Sequence, residues 1–143
     1  MKREDFAYWM EVDVRWGDMD SQRHVNNAVY FTYCESARVE LLGKLGIRGK
    51  SWGRFGPALV STTCNFRKQV TYPSKLDVGV SVVRIGNRSF TMNYGLFLHE
   101  TDELVADASS VNAWIDYDEG KSVQLSDEMK AALAQYSVNE NRD

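Results

Sequence analysis

Between Asn27 and about Leu45 the apolar residues of this chain fall at helical spacing, whereas almost everywhere else they alternate. Tyr30, Cys34, Ala37, Leu41 and Leu45 form one stripe, Phe31, Val39 and Leu42 widen it, and Gly46 is placed as a stop. Thr32, Glu35, Arg38 and Glu40 fall on the other side. A chain with one long, mostly covered helix and many strands has few ways to bury its apolar surface. The strands must form a sheet that wraps the helix.

The strands can be read in order. Phe6, Tyr8, Met10, Val12, Val14 and Trp16 alternate with mostly polar neighbours before the helix. After it, Gly43 to Pro57 carries Gly46, Gly49, Gly53 and Gly56 and reads as a loop. Ala58, Val60, Thr62, Cys64 and Phe66 alternate next, then Val78, Val80 and Val82 up to a tight turn at Gly86-Asn87. Phe90, Met92, Tyr94, Leu96 and Leu98 return, and His99 to Glu103 turn the chain into Leu104 to Asp116. Ser126 is placed to cap a last helix with Asp127 and Glu128 in its first turn, and Met129, Leu133 and Tyr136 form its stripe. The predicted fold is α+β, an antiparallel sheet wrapped around one long central helix, in a single domain of residues 1–143 with a polar tail after about 137.

Composition removes several function classes. With 43% apolar and 26% charged residues the chain is an ordinary globular one, not a disordered, collagen-like or coiled-coil one. A net charge of -3 with no basic run interleaved with aromatics argues against nucleic acid as a partner. No apolar run is long enough to span a membrane, and Lys2, Arg3, Glu4 and Asp5 do not open a secretory leader, so a cytoplasmic setting is expected. Cys34 and Cys64 form no CxxC pair and read as small buried hydrophobes. His24, His99, Cys34 and Cys64 have separations that match no metal-ligand spacing, so no metal site is expected.

Chemistry concentrates where the first strand gives way to the helix, in Arg15-Trp16-Gly17-Asp18-Met19-Asp20-Ser21-Gln22-Arg23-His24-Val25-Asn26-Asn27-Ala28-Val29-Tyr30. A core does not need such a cluster of carboxylates, imidazole and amides. The backbone N–H groups that open a helix lack internal acceptors and favour developing negative charge, so residues from Asn26 through Ala28 to Val29 are candidate oxyanion donors.

The pattern Asp20-x-x-x-His24-Val25-Asn26-Asn27-x-x-Tyr30, followed by Tyr33-x-Glu35-x-Ala37-Arg38, resembles the hotdog-fold acyl-CoA thioesterases of the 4-hydroxybenzoyl-CoA and long-chain acyl-CoA types. The His-Val-Asn-Asn run is also similar to plant acyl-ACP thioesterases. The resemblance covers nearly the whole chain, with Asn65-Phe66-Arg67-Lys68 and the later hairpins at the family's sheet strands. It implies a hotdog fold, hydrolysis of an acyl-CoA or acyl-ACP thioester without a cofactor, and homodimers often paired into homotetramers with active sites between subunits. The apolar residues on both parities of Phe90 to Leu98 and Leu104 to Ile115 are a weak hint in the same direction.

By resemblance, Asp20 is the catalytic carboxylate, either a general base for water or a nucleophile; its bland alternative is a helix-entry turn residue. His24 orients Asp20, donates to the thioester carbonyl or simply satisfies the turn, and Asn26 and Asn27 bond the carbonyl or the local backbone. Asp18 either raises the pKa of Asp20 by repulsion or pairs with Arg15 or Arg23. Glu35 faces the acyl channel or, the favoured reading, pairs with Arg38. Tyr30, Phe31, Tyr33, Leu59 and Val60 are expected to line the acyl pocket, and Arg67, Lys68 and Arg88 with Ser89 to meet the phosphates of CoA. Two rival readings are a hotdog dehydratase or hydratase, whose motif surrounds prolines that Pro57 and Pro73 do not supply here, and a non-catalytic acyl-CoA or acyl-carrier binding module.

Overall fold

The computed structural model of the chain describes residues 1–46 and 53–138. Strands β1 (Tyr8–Val14), β2 (Phe55–Phe66), β3 (Ser74–Ile85), β4 (Ser89–Leu98), β5 (Leu104–Asp116) and the short β6 (Lys121–Ser122) form one antiparallel sheet. Helix α1 (Asn27–Lys44) follows β1, and helix α2 (Asp127–Ala134) closes the chain. The strand order is β1-β3-β4-β5-β2, with β6 pairing β5 beyond the end of β4.

This order explains why the helix is central. β1 and β2 are neighbours in sequence but occupy opposite edges, so α1 must carry the chain across the sheet. Four strand spacings amount to about 19 Å, and a helix of 18 residues reaches about 27 Å. The helix therefore spans the curved inner face, where Tyr30, Tyr33, Cys34, Ala37, Leu41 and Leu42 are buried. Leu76, Val78, Val80 and Val82 of β3 and Phe90, Met92, Tyr94 and Leu96 of β4 form the facing layer.

Where the expected pattern fails, the local cause is visible. Arg38, expected on the solvent side, is buried because it follows Cys34 by four residues on the same stripe. Its stem runs under the helix and its guanidinium donates to Tyr94 Oη at 3.1 Å. The alternation of β2 breaks between Leu59 and Ser61, where a bulge leaves Val60 without a partner. Leu59, opposite Asn112, thus shares the inner face with Thr62, Cys64 and Phe66, while Val60 is 64% exposed. Phe55, Gly56 and Pro57 belong to the strand rather than to the glycine-rich loop, whose residues 47–52 lie outside the described residues. The expected tail after about 137 also lies almost entirely outside them.

Phe6 turns to the outer face, opposite to Tyr8. There it meets Trp9 and Phe97 edge-on at 5.9 and 6.1 Å between centroids. The second apolar parity of β4 is thus accounted for within the chain, because Phe97 is covered by its own N-terminal segment. Arg3 lies over both rings of that cover and binds Asp77 at 2.7 Å. Gly79 and Gly95 are the floor that lets Phe6 approach the sheet.

The Gly46 stop and the Ser126 cap follow expectation: Gly46 has φ of 77° just past α1, and Ser126 Oγ accepts from the Met129 amide at 3.1 Å. Of the two roles expected for Asn26, the bond to the local backbone is the one observed, as the cap of α1, with Oδ1 accepting from the Ala28 amide at 2.9 Å. No helix among the described residues is long and apolar enough to cross a membrane.

A Cβ at residue 79 would lie 2.8 Å from Phe6 Cβ and 2.9 Å from Trp9 Cη2. Gly79→Ala is expected to cost about 2 kcal/mol in urea unfolding through overpacking. An unchanged midpoint would show that Phe6 does not sit on this face.

Candidate active site

The turn between β1 and α1 is built around a buried carboxylate, Asp18, which is 2% exposed. It closes a 3-10 turn over Trp16–Asp18 by accepting from the Arg15 amide at 2.9 Å and from the Arg15 guanidinium at 3.0 and 3.2 Å. Its other contact is the Tyr33 hydroxyl, which donates at 2.7 Å from the second turn of α1. Burial alone would raise the Asp18 pKa, but the Arg15 amide, the Tyr33 hydroxyl and the Arg15 guanidinium together outweigh it and hold the carboxyl below its ordinary value. Of the two roles expected for Asp18, pairing with Arg15 is the one observed, and Tyr33 is a partner that the spacing did not disclose.

Asp18 also sets the start of the helix, since its carbonyl accepts from the Asn26 amide at 3.0 Å. Between these residues the chain folds into a small hairpin. Met19 bridges Val25, the Asp20 amide donates to the His24 carbonyl at 3.0 Å, and Arg23 takes a left-handed φ of 66°. The Val25 amide donates to the Val70 carbonyl at 2.8 Å, which ties the hairpin to the segment before β3. Asp20 sits exposed at the head of this turn, and one of its oxygens accepts from the Gln22 amide at 2.9 Å.

The first helical turn is nearly used up. The Ala28 amide goes to the Asn26 side chain and the Val29 amide to the Asn26 carbonyl, at 2.9 and 2.8 Å. Among the described residues the Asn27 amide has no acceptor, so it alone of the expected donors in this turn is free. Asn26 thus has a structural task as the cap.

Asp20, His24, Asn26 and Asn27 line one cleft of about 470 Å³ together with Tyr30, Phe66, Arg67 and Lys68. Arg67 binds Asp107 at 2.7 Å and Lys68 binds Glu103, yet both side chains stay more than half exposed above the cleft. Other expected residues lie apart from it. Tyr33 is buried on Asp18, and Glu35 is exposed and near Arg38 at 3.9 Å. Ala28 is exposed on the first turn, Val29 is partly buried against the core, and Leu59 and Val60 stand on the free edge of β2. Arg88 and Ser89 are at the other end of the sheet: the Trp114 amide of β5 donates to the Arg88 carbonyl, whereas Arg67 meets Val105. Nine residues of strand separate those points, about 30 Å within one chain.

The remaining reactive groups are elsewhere. Burial pushes the Cys34 thiol up to about 12 and the Cys64 thiol to about 11, which leaves both protonated. His99 contacts Asp77 at 2.8 Å on the outer face. Glu11, Asp77 and His99 cluster there, but Arg3 already binds Asp77.

Comparison with known proteins identifies the family and the fold. A family model described as the thioesterase-like superfamily matches residues 14–133. The uncharacterised YsmA of Bacillus subtilis is 26% identical over 131 residues, covering 92% of this chain and 88% of YsmA. The chloroplastic acyl-acyl carrier protein thioesterase ATL2 of Arabidopsis thaliana is 31% identical over 114 residues; these cover 75% of this chain and 58% of the plant protein. The PA5185 protein of Pseudomonas aeruginosa superposes with a TM-score of 0.88 at 27% identity, over 95% of each chain. Slr0204, a 1,4-dihydroxy-2-naphthoyl-CoA thioesterase from Synechocystis, shares the fold with a TM-score of 0.80 at 21% identity, over 89% of this chain and 95% of that one.

The Tyr33–Asp18 bond makes a pH-dependent prediction. A carboxyl with a lowered native pKa contributes stability that is present above its unfolded value and lost as pH falls through the native one. Tyr33→Phe is therefore expected to cost about 2 kcal/mol at neutral pH, and less once the pH drops below about 4. Urea unfolding across pH checks this; a cost that does not change with pH would contradict it.

Proposed function

Because the chain belongs to the thioesterase-like superfamily, we propose that it hydrolyses an acyl-CoA thioester in the cleft around Asp20. The observation that carries this reading is the pairing, on one cleft, of an exposed carboxylate held only by the Gln22 amide with the free Asn27 amide. Asp20 takes a proton from water, the hydroxide adds to the acyl carbon, and the Asn27 amide holds the oxyanion. Collapse expels CoA as a thiolate, whose modest pKa makes a strong acid unnecessary. Direct attack by the carboxylate, giving a mixed anhydride that water then opens, uses the same atoms. His24 borders Asp20 and fixes its turn through its carbonyl.

Arg67 and Lys68 suit the phosphates of CoA or the phosphopantetheine of a carrier protein, a substrate that ATL2 carries in its name. Release of free thiol from acyl-CoA, followed with DTNB, tests the reading. Asp20→Asn is expected to lower kcat by about a hundredfold or more; full activity in that variant would move the chemistry elsewhere, and no turnover across an acyl panel would favour a binding module. Two unpaired thiols, Cys34 and Cys64, suit a reducing cytoplasmic setting.

Two copies join through β2. This strand of 12 residues is a sheet edge, and Phe55, Leu59, Val60 and Phe66 along it are exposed. A partner edge would satisfy its free backbone groups and cover these side chains beside the cleft. Leu59→Lys is expected to convert the dimer to monomer in sedimentation velocity; a mass unaffected by the change would place the interface on another surface.

A further inference from the structure

Trp16 continues the alternation of the first strand, yet its side chain is 73% exposed, because the chain leaves the strand at Val14 and enters the turn that Asp18 closes. Trp16, Met19 and Tyr72 line a second cleft of about 580 Å³, bordered by Ser21 and Arg23 of the hairpin. The Tyr72 amide donates to Met19 Sδ at 3.5 Å, which fixes the two walls to each other. Asp20 lines this cleft as well as the first, so it forms the ridge between them.

The two clefts differ in chemistry. One holds Arg67, Lys68 and the Asn26 and Asn27 side chains beside Phe66, and the other holds Trp16, Tyr72 and the Met19 thioether beside Arg23. A thioester has the same division about its reacting carbon, with an anionic arm on the sulfur side and an apolar group on the carbonyl side. The side chains inside the fold are committed elsewhere: Tyr30 and Tyr33 are 2% and 4% exposed, and Tyr33 is spent on Asp18.

Building on the hydrolase reading above, we propose that the cleft of Trp16, Met19 and Tyr72 receives the acyl group, with Trp16 and Tyr72 setting acyl specificity. The CoA arm lies in the cleft of Arg67 and Lys68, and the carbonyl sits at the Asp20 ridge. Flat faces of this kind select ring-bearing acyl groups over acetyl, because stacking and burial grow with the ring.

The test compares benzoyl-CoA with acetyl-CoA in the wild type, Trp16→Ala and Tyr72→Leu, and measures binding of phenacyl-CoA, a thioether that hydrolysis does not consume. Trp16 is exposed, so its loss leaves the core untouched. Each substitution is expected to lower the benzoyl-to-acetyl ratio of kcat/KM by roughly tenfold, mainly through KM, and to weaken phenacyl-CoA by a similar factor. An unchanged ratio, or phenacyl-CoA binding that ignores both substitutions, overturns the acyl subsite while leaving hydrolysis intact. If the wild type cleaves no thioester but phenacyl-CoA binding still depends on Trp16, the subsite stands and the hydrolase reading falls.

Discussion

The arrangement depends on the buried carboxylate of Asp18. A charge this far from water must be fully bonded or it costs several kcal/mol, and Asp18 is bonded by the Arg15 amide, the Arg15 guanidinium and the Tyr33 hydroxyl. Those partners come from the end of the first strand and from the helix, so satisfying one carboxylate fixes how the two elements meet. Its backbone carbonyl then receives the Asn26 amide, which positions the cap and with it the first turn of α1. Asp20, two residues away, is left with only the Gln22 amide on its side chain. One aspartate is bound into the architecture while its neighbour stays exposed.

Topology supplies the other half of the design. Since β1 and β2 are opposite edges, α1 must begin at the β1 side, and its N-terminus is delivered beside the segment that joins β2 to β3. Arg67 and Lys68 arrive there because they directly follow β2, and both amides bond the Val105 carbonyl at the start of β5. Cationic side chains, a free amide and a carboxylate thus converge at one corner of the fold although they are tens of residues apart in sequence.

Much of this could be read in the sequence. The helix, the Ser126 cap, the glycine stop and the succession of strands along the chain follow from local periodicity and capping chemistry, which act within a few residues. Asp20, His24, Asn26 and Asn27 were legible as a group because they lie in one continuous turn. What stayed hidden depends on contacts across the sheet. The bulge at Val60 reverses the parity of β2, Phe6 crosses to the outer face to cover Phe97, and Arg38 reaches Tyr94 beneath the helix. The distance of Arg88 and Ser89 from Arg67 is likewise a consequence of β5 register, and no spacing along the chain records it.

The direct measurement of the central claim is a crystal structure with phenacyl-CoA, whose ketone mimics the thioester carbonyl. The account predicts the carbonyl oxygen within hydrogen-bonding distance of the Asn27 amide, with an Asp20 carboxylate oxygen facing the carbonyl carbon across room for one water. A ketone bound away from this turn, with Asp20 directed into solvent even in the assembled oligomer, would contradict it.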